Sequence, residues 1–256
     1  MDPLGDWAIA ALDSAPRLSW RPGPPDYVGV GAQKAGTSWW ATLIAAHPTV
    51  RLHPLLPKEL HYFDSCWMQH SPTKQLTVEY HRHFLRPPGM LTGEWTPSYM
   101  THYWVPPLLA MAAPAARILV LLRDPVERFR SELTHSIRMG RARNQIATVN
   151  RVFHRGLYVG QLTRLFTAFP REQVLILQFE RCVMDPAGEL ERTYQFIGLD
   201  SGFRPSNLRR PVNRTVEDKV HLSGHQEDML REAYSDEVRR LGELVPALDL
   251  SLWSAY

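Results

Sequence analysis

Short apolar runs alternate with longer segments of helical length along this chain, and the alternation predicts its secondary structure. YVGV (27–30), RILVLL (117–122) and VLILQF (174–179) are short and apolar, which is typical of buried strands. Strands that alternate with helices of about ten residues or more indicate right-handed βαβ units. The pattern therefore predicts an α/β fold in which a P-loop-like parallel β-sheet is flanked by helices on both faces.

Turn and capping residues predict where the helices begin and end. A helix from Thr37 must end before His47-Pro48, because proline disfavours helix at the residue before it. Asp124, followed by Pro125 and by Glu127, predicts a helix that runs to about Gly140. Four further helices are predicted: 72–85 opened by Ser71 and Pro72, 158–169, 186–198 opened by Asp185 and closed by Gly198, and 224–245 opened by a capping box at Ser223.

Length and composition are those of an ordinary globular protein. The 256 residues are 44% apolar and 21% charged, which is enough to bury one large core. The stretch RPGPPD (21–26) is rich in proline and glycine, so residues 1–26 are predicted to be an N-terminal lead-in. Residues 27–256 are then predicted to form a single domain.

Charge and cysteine content bear on partners and location. The net charge of +3 is small, and it does not by itself indicate a nucleic-acid partner. Cys66 and Cys182 form no CxxC pair, and the first residues lack the basic start and long apolar run of a signal peptide. A cytoplasmic protein without a membrane span is therefore expected, and the oligomeric state stays open.

Two distinctive segments, 31–39 and 123–131, each follow a predicted strand. In parallel α/β sheets, ligands bind beyond the carboxyl ends of the strands. Gly31 and Gly36 keep the glycine spacing of a phosphate-binding P-loop, but the lysine that should follow Gly36 stands inside the loop as Lys34. Lys34 is therefore expected to lean over whatever is attached to a 5′-phosphate rather than to hold a γ-phosphate.

The loop also offers ordinary donors for an anion. A glycine loop that leads into a helix presents backbone N–H groups and the positive end of the helix dipole, and here Thr37 and Ser38 add hydroxyls. A strand-to-helix turn with a solvated Lys34 is the alternative interpretation of this segment. The loop alone does not exclude that alternative.

Arg123 leaves the second predicted strand, and Ser131 lies about two helical turns further on. Both side chains can face the same ligand edge as the glycine loop and supply a guanidinium and a hydroxyl to a second phosphate. The alternative is a surface ion pair of Arg123 with Asp124 or Glu127.

QKAGTSW (33–39) and LLRDPVERFRS (121–131) together resemble the two cofactor motifs of the sulfotransferase family. That family uses 3′-phosphoadenosine 5′-phosphosulfate (PAPS) and releases 3′,5′-ADP. The resemblance implies that the first motif holds the 5′-phosphosulfate and that Arg123 and Ser131 hold the ribose 3′-phosphate. The resemblance extends over most of the chain from Tyr27 to Leu199.

Two more segments carry the resemblance toward one branch of the family. PKELHYFD (57–64) is similar to the Glu-x-His-Phe-Phe-Asp segment of heparan-sulfate-type and many bacterial sulfotransferases. GEWTPSYM (93–100) resembles their Glu-Lys-Thr-Pro-x-Tyr segment, with Trp95 in place of the lysine. Trp95 therefore favours a flatter or more apolar acceptor, and Trp95 with the aromatic-rich residues 99–104 can stack on a sugar ring or on an aromatic natural product alike.

The resemblance implies in-line transfer of a sulfuryl group to the hydroxyl of a small molecule, glycolipid or carbohydrate, without a metal. Glu59 is the expected general base, His61 is its rival because imidazole titrates nearer neutral pH, and Lys34 is the cation for the leaving oxygen. Glu94 is expected either to orient Lys34 or the acceptor, or to serve a buried structural role.

The expected cofactor-binding residues come from both motifs and from two later segments. They are Gln33, Lys34, Ala35, Gly36, Thr37, Ser38, Trp39, Arg123, Ser131 and Tyr158, with Arg210, Asn213 and Arg214 from the basic stretch 208–215. Two other classes of function are kept as alternatives, a P-loop kinase of a small molecule and a non-catalytic nucleotide-binding module.

Overall fold

The computed structural model describes residues 20–52, 58–68, 73–209 and 219–253. Its centre is one sheet of four parallel strands with the order β2-β1-β3-β4. The strands are β1 (Tyr27–Gly31), β2 (Gly93–Trp95), β3 (Arg117–Leu122) and β4 (Val174–Gln178). The predicted single α/β domain with a parallel sheet is confirmed.

Nine helices of the described part of the chain surround this sheet. They are α1 (Thr37–Ala45), α2 (Lys74–Arg82), α3 (Val105–Ala112), α4 (Pro125–Arg138), α5 (Gln145–His154), α6 (Tyr158–Ala168), α7 (Phe179–Met184), α8 (Pro186–Ile197) and α9 (Gly224–Leu244). Short 3₁₀ turns lie at Tyr99–Thr101, Arg171–Gln173 and Leu250–Leu252. Helix α8 contacts α1 and α7, while α6 contacts α3 and α9, so the sheet is covered by two sets of helices.

Four of the predicted helix caps are confirmed, and one of them is Asp185, whose side chain accepts a hydrogen bond from the Gly188 N–H at the start of α8. The Asp124 carboxylate accepts hydrogen bonds from the N–H groups of Val126 and Glu127 at the start of α4. Ser223 forms the full capping box at the start of α9. Gly198 ends α8 with φ of 82°, a left-handed conformation that glycine adopts without strain.

The predicted start of the helix at 72–85 is wrong. Helix α2 begins at Lys74, and its cap is Thr73, whose side chain accepts a hydrogen bond from the Leu76 N–H. Ser71 and Pro72 lie outside the described residues. Because serine and threonine cap helices by the same hydrogen bond, residue type alone did not distinguish them.

Other elements carry weak local signals, and the sequence did not reveal them. Strand β2 has only three residues and no apolar run, and it forms because it pairs with β1. Helices α3, α5 and α7 were also missed. Strand β4 ends at Gln178 rather than at Phe179, since Phe179 opens α7.

The core lies around β3, where every residue from Ile118 to Leu122 is fully buried.

The predicted lead-in is described only from residue 20 onward. There the Asp26 N–H donates to the Thr92 carbonyl at 2.8 Å, so the chain packs against residues 86–92 before β1 begins.

Close packing of β1 on β2 makes Gly29 sensitive to substitution. A Cβ atom at Gly29 would overlap the indole of Trp95, which is 1% exposed. We therefore expect Gly29→Ala to lower the free energy of unfolding by about 1–3 kcal/mol or more, because a buried indole cannot move aside.

Gly160→Ala is the matched control for this prediction, measured by the same urea denaturation. Gly160 is exposed in α6, and a Cβ there would meet only the flexible Arg164 side chain at 3.7 Å. Alanine at this position should stabilise the protein by roughly 0.5–1 kcal/mol through helix propensity. Equal effects of the two substitutions would contradict the packing argument.

Candidate active site

The loop after β1 depends on a left-handed turn at Gly36. Gly36 has φ of 91° and is the N-cap of α1, and a Cβ atom there would lie 2.7 Å from the Phe179 ring. Both the backbone conformation and the neighbouring ring therefore require glycine. The first N–H groups of α1 have no preceding helical turn to accept from them, so the turn presents them to a ligand at this edge of the sheet.

Lys34 lies half-buried inside this loop, and among the described residues its ammonium has no hydrogen bond or ion pair. Burial lowers the pKa of Lys34, and the charges of Arg138 and Arg123 lower it further, while Glu132 and Glu59 act in the opposite direction. Its neighbours thus come from α4, from the end of β3 and from the segment of Glu59. The loop lysine is placed where these three segments converge.

Arg123 follows β3 directly and reaches this loop. Its Nη1 donates to the Lys34 carbonyl at 3.4 Å, and its guanidinium lies 4.8 Å from the centre of the Phe179 ring. The ion pair with Glu127 that we considered as an alternative is also present, at 3.2 Å. The buried Nε of Arg123 has no partner among the described residues, so the guanidinium retains a free donor.

Glu127 binds two further cations, Arg130 and Lys219, which were not predicted from the sequence. Its carboxylate accepts from Arg123, from Arg130 at 2.9 Å, and from Lys219. Burial alone would raise the pKa of Glu127, but the hydrogen bond from Lys219 and the charges of these cations hold it below its ordinary value. Arg130 also pairs with Glu227 at 3.6 Å, so three cations share two carboxylates, which leaves an excess of positive charge beside Arg123 for a second anion.

Ser131 lies one turn after Glu127 on the same face of α4, and His135 follows one turn later. Partial burial lowers the pKa of His135, and the charge of Lys34 lowers it further, so this helix face is near the loop. Ser131 is largely buried as a residue, and its hydroxyl has no hydrogen bond to a described residue. The two predicted phosphate contacts, Arg123 and Ser131, are therefore both beside the glycine loop.

Tyr158 is fully buried behind Arg123 rather than on an open surface. Its hydroxyl donates to the Arg123 carbonyl at 2.9 Å, and burial raises its pKa. The neighbouring Gln161 is also buried and donates to the Leu157 carbonyl at 2.8 Å. The structure thus shows Tyr158 positioning the backbone of Arg123 and shows no open surface of Tyr158 for a nucleotide.

The remaining predicted cofactor residues lie around α1. Ala35 is buried in the loop, and the buried Oε1 of Gln33 has no partner among the described residues. Trp39 is buried, and its indole N–H donates to the Leu208 carbonyl at 3.2 Å, which ties α1 to the segment that leads to the predicted nucleotide loop. Within that loop, the predicted residues Arg210, Asn213 and Arg214 are outside the described residues.

The two candidate bases are in contact with each other. The Glu59 carboxylate lies 3.2 Å from Nε2 of His61, and Nδ1 of His61 lies 2.8 Å from the Asp64 carboxylate. Burial would raise the pKa of Asp64, but hydrogen bonds from His102 and His61 hold it below its ordinary value. Glu59, His61 and Asp64 therefore form one carboxylate–imidazole–carboxylate chain.

Lys58 joins this chain to the glycine loop, and the sequence analysis did not assign it to the site. Its ammonium donates to Oγ of Ser38 at 3.1 Å and to Oγ1 of Thr37 at 3.5 Å, and it pairs with Glu59 at 2.9 Å. Burial lowers the pKa of Lys58, and the charge of Glu59 partly offsets this lowering. A lysine directly before the expected base was the available signal, but it also fitted a simple ion pair.

Glu94 has a structural role rather than a contact with Lys34. It is buried, and its carboxylate accepts from four donors, which are the hydroxyls of Tyr80, Thr96 and Tyr99 and the N–H of Leu60. Burial outweighs these hydrogen bonds and raises the pKa of Glu94 to about 7. The bond to Leu60, at 3.4 Å, holds the backbone between Glu59 and His61 in place.

Trp95 does not face an acceptor, so that expectation is wrong. Its side chain is 1% exposed, and its indole N–H donates to the Gly31 carbonyl at 3.2 Å. Trp95 therefore stabilises the start of the glycine loop through this hydrogen bond. In the aromatic segment that follows, Tyr99 and Met100 are buried, while Tyr103 is 63% exposed.

Chemically, the assembled site combines an anion cradle with a proton acceptor. Backbone N–H groups, loop hydroxyls and Lys34 surround one binding position for an anion. The cations around Glu127 surround a second such position. The described residues contain no group of three or more His, Cys, Asp or Glu side chains that could hold a metal ion. No helix among them is apolar over the length that a membrane crossing requires.

Comparison with known proteins points to one family. The family model of the sulfotransferase domain matches residues 24–226. A heparan sulfate glucosamine 3-O-sulfotransferase 3A1 of Mus musculus is 29% identical over 192 residues, which are 68% of this chain and 46% of that protein. A heparan sulfate glucosamine 3-O-sulfotransferase 6 of Homo sapiens is also 29% identical, over 72% of this chain and 57% of that protein. The chain spans about half the length of these curated relatives.

A solved structure supports the fold. The sulfotransferase from Alicyclobacillus acidocaldarius superposes with a TM-score of 0.73 and covers 90% of this chain and 99% of its own, at 23% sequence identity. At that level of identity the likeness concerns the architecture. It agrees with the parallel sheet and glycine loop described above.

The raised pKa of Glu94 predicts a pH-dependent stability. Its ordinary value is 4.5 and its value in the fold is about 7, so the folded state binds more protons than the unfolded state between these pH values. The stability contributed by this group is therefore complete below about pH 4.5 and is lost as the pH rises through 7. Glu94→Gln removes the ionisable group, and between pH 5 and 8 it should gain roughly 2 kcal/mol relative to the unmodified protein.

Urea denaturation of both proteins at several pH values measures this difference. The introduced amide keeps an acceptor oxygen for the two tyrosines, so the variant is expected to fold. Parallel stability curves for the two proteins across this range would contradict a raised pKa at Glu94.

Proposed function

The chain belongs to the sulfotransferase domain family, and we propose that it is a sulfotransferase whose donor is PAPS and whose acceptor is a hydroxyl group. The observation that carries this proposal is the contact between the two cofactor motifs. Arg123 donates to the carbonyl of Lys34, so the residues expected for the 3′-phosphate and for the 5′-phosphosulfate belong to one site. A doubly phosphorylated nucleotide fits a site with two adjoining positions that each bind an anion.

The residues present fit PAPS. Gly36 leaves room for a close approach to the backbone, and the hydroxyls of Thr37 and Ser38 lie at the start of α1 for the 5′ end. Arg123 keeps an unpartnered buried Nε, and Ser131 keeps a hydroxyl without a partner among the described residues, which suits the 3′-phosphate. When bound, PAPS supplies a sulfuryl group that is linked to its 5′-phosphate.

Glu59 is the proposed general base for the acceptor hydroxyl. His61 and Asp64 are its positioning residues, because the imidazole lies between the two carboxylates and fixes the direction of Glu59. Lys34 is the proposed cation for the negative charge that develops on the 5′-phosphate, since its ammonium is unpaired among the described residues.

The acceptor is proposed to be a glycan or a small molecule that carries a hydroxyl. The similar mouse and human proteins are named for a glucosamine of heparan sulfate, which favours a carbohydrate. Tyr103 is an exposed ring in the segment after β2, where it is available to stack on a sugar or an aromatic ring. The cytoplasmic location stays a prediction.

The two other functions that we considered are not favoured. A kinase of the P-loop type needs a lysine after Gly36 and a free Ser or Thr hydroxyl for Mg²⁺, whereas Lys58 donates to Thr37 and Ser38 here. Nucleotide binding alone does not require a positioned base, whereas Glu59 is held here by contacts with His61 and Lys58.

Ligand-dependent stabilisation tests the proposed donor. We expect 3′,5′-ADP at about a hundredfold excess over its Kd to stabilise the protein by about 2.7 kcal/mol, measured by thermal shift, and to do so more strongly than ATP with Mg²⁺. Arg123→Met should weaken 3′,5′-ADP roughly tenfold to a hundredfold, because the guanidinium is charged and partly buried. The affinity for 5′-AMP should change much less.

Arg117→Met is the matched control, since Arg117 is exposed at the start of β3, at the end opposite to the one that Arg123 follows. It should leave the affinity for 3′,5′-ADP unchanged. Stronger stabilisation by ATP with Mg²⁺ than by 3′,5′-ADP would contradict the proposed donor and favour a kinase.

Removal of the base should affect turnover and not donor binding. Glu59→Gln keeps the size of the side chain, and we expect turnover to fall at least about a hundredfold while the affinity for 3′,5′-ADP stays nearly intact. An acceptor screen with labelled PAPS, resolved by mass spectrometry, supplies the substrate for this assay.

Glu79→Gln on the exposed side of α2 is the control for the Glu59 variant, and it should keep full turnover. Normal turnover by Glu59→Gln would remove Glu59 from the mechanism.

A further inference from the structure

Lys58 occupies the space between the donor loop and the proposed base. Its side chain is 15% exposed, and its ammonium contacts the Ser38 and Thr37 hydroxyls on one side and the Glu59 carboxylate on the other. A group that moves from a phosphate at the loop to an oxygen beside Glu59 must pass through this space. The geometry therefore places a cation on the path of transfer.

Position 58 is also next to the site of this chain's departure from the heparan-sulfate-type pattern. The Trp95 backbone N–H donates to the Lys58 carbonyl at 3.2 Å, so the two residues lie on neighbouring segments of backbone. The pattern has a lysine where this chain has Trp95, and Trp95 is buried beneath the loop. An ammonium group nevertheless reaches the site, and it comes from the adjacent segment.

We propose that Lys58 is a further catalytic residue, whose ammonium binds the oxygens of the sulfuryl group during transfer. The inference rests on the proposed function. Lysine has three N–H donors. In this structure they are directed at Ser38, Thr37 and Glu59. Redirecting the donor on Glu59 toward the sulfuryl group frees that carboxylate oxygen to accept the proton of the acceptor.

The step is balanced without another reactant. The S–O bond to the 5′-phosphate breaks, and the S–O bond to the acceptor oxygen forms. The acceptor proton passes to Glu59, and the negative charge remains on the phosphate oxygen of 3′,5′-ADP. Lys58 stays protonated throughout, and it acts by donating hydrogen bonds to the group in transit.

This role differs from that of Lys34. Lys34 is influenced by Glu132, Arg138 and Arg123, which are on the side of the phosphates. Glu59 also influences Lys34, but only Lys58 is paired with that carboxylate, at 2.9 Å. Lys58 is influenced by Glu59 alone among charged groups, which is on the side of the acceptor. The two lysines therefore serve different ends of the same sulfuryl group.

The difference between PAPS and 3′,5′-ADP isolates the sulfuryl group, because the two ligands share both phosphates and the adenosine. We would measure the Kd of each ligand by calorimetry without acceptor, for the unmodified protein and for Lys58→Met. We expect the variant to bind PAPS at least about tenfold more weakly, and to bind 3′,5′-ADP within about threefold of the unmodified protein. Lys58→Arg should recover part of the affinity for PAPS.

Lys74→Met is the matched control, since Lys74 is exposed at the start of α2, and it should change neither Kd. Lys58→Gln is a second neutral variant, in case methionine perturbs the fold, and thermal melting of both variants reports on that. Equal weakening of both ligands, or weakening of neither, in the folded variants would overturn the inference. A failure of the unmodified protein to bind 3′,5′-ADP would instead overturn the proposed function, and the inference with it.

Discussion

The site depends on one buried carboxylate, Glu94. A carboxylate without water is costly unless donors surround it, and Glu94 has four, from α2, from the turn after β2 and from the backbone at Leu60. These donors cannot leave Glu94 without exposing an unsatisfied buried group. The need of Glu94 for these donors therefore holds the segment that carries Lys58, Glu59 and His61 beside β2. Glu94 itself has only a structural role.

A similar constraint orients α4 on the other side of the site. Arg128 is fully buried and pairs with Glu132, which also accepts from Arg155 at the end of α5. Removing one member would leave a buried charge without a partner, which is strongly destabilising. The pairing fixes the rotation of α4, so that Glu127 and Ser131 turn toward the loop. Structural charge pairs thus direct the functional face of this helix.

The charges of the site are arranged to receive anions without being fully neutralised. Lys34 is unpaired among the described residues, and Arg123 shares Glu127 with two other cations. Lys58, by contrast, is paired with a carboxylate at the acceptor side. The positive charge is greatest where two phosphates are proposed to bind and is balanced where a neutral hydroxyl is proposed to react.

The sequence by itself determined the local features: the apolar strands, the caps at Asp124 and Ser223, and the glycine turn at Gly36. Each of these depends on residues close together in the chain, which is why the parallel sheet and the two cofactor motifs were predictable. Tertiary structure alone decided the direction of long-range contacts. It buried Trp95, placed Tyr158 behind Arg123 and brought Lys58 to the loop, because each of these side chains is positioned by partners many residues away.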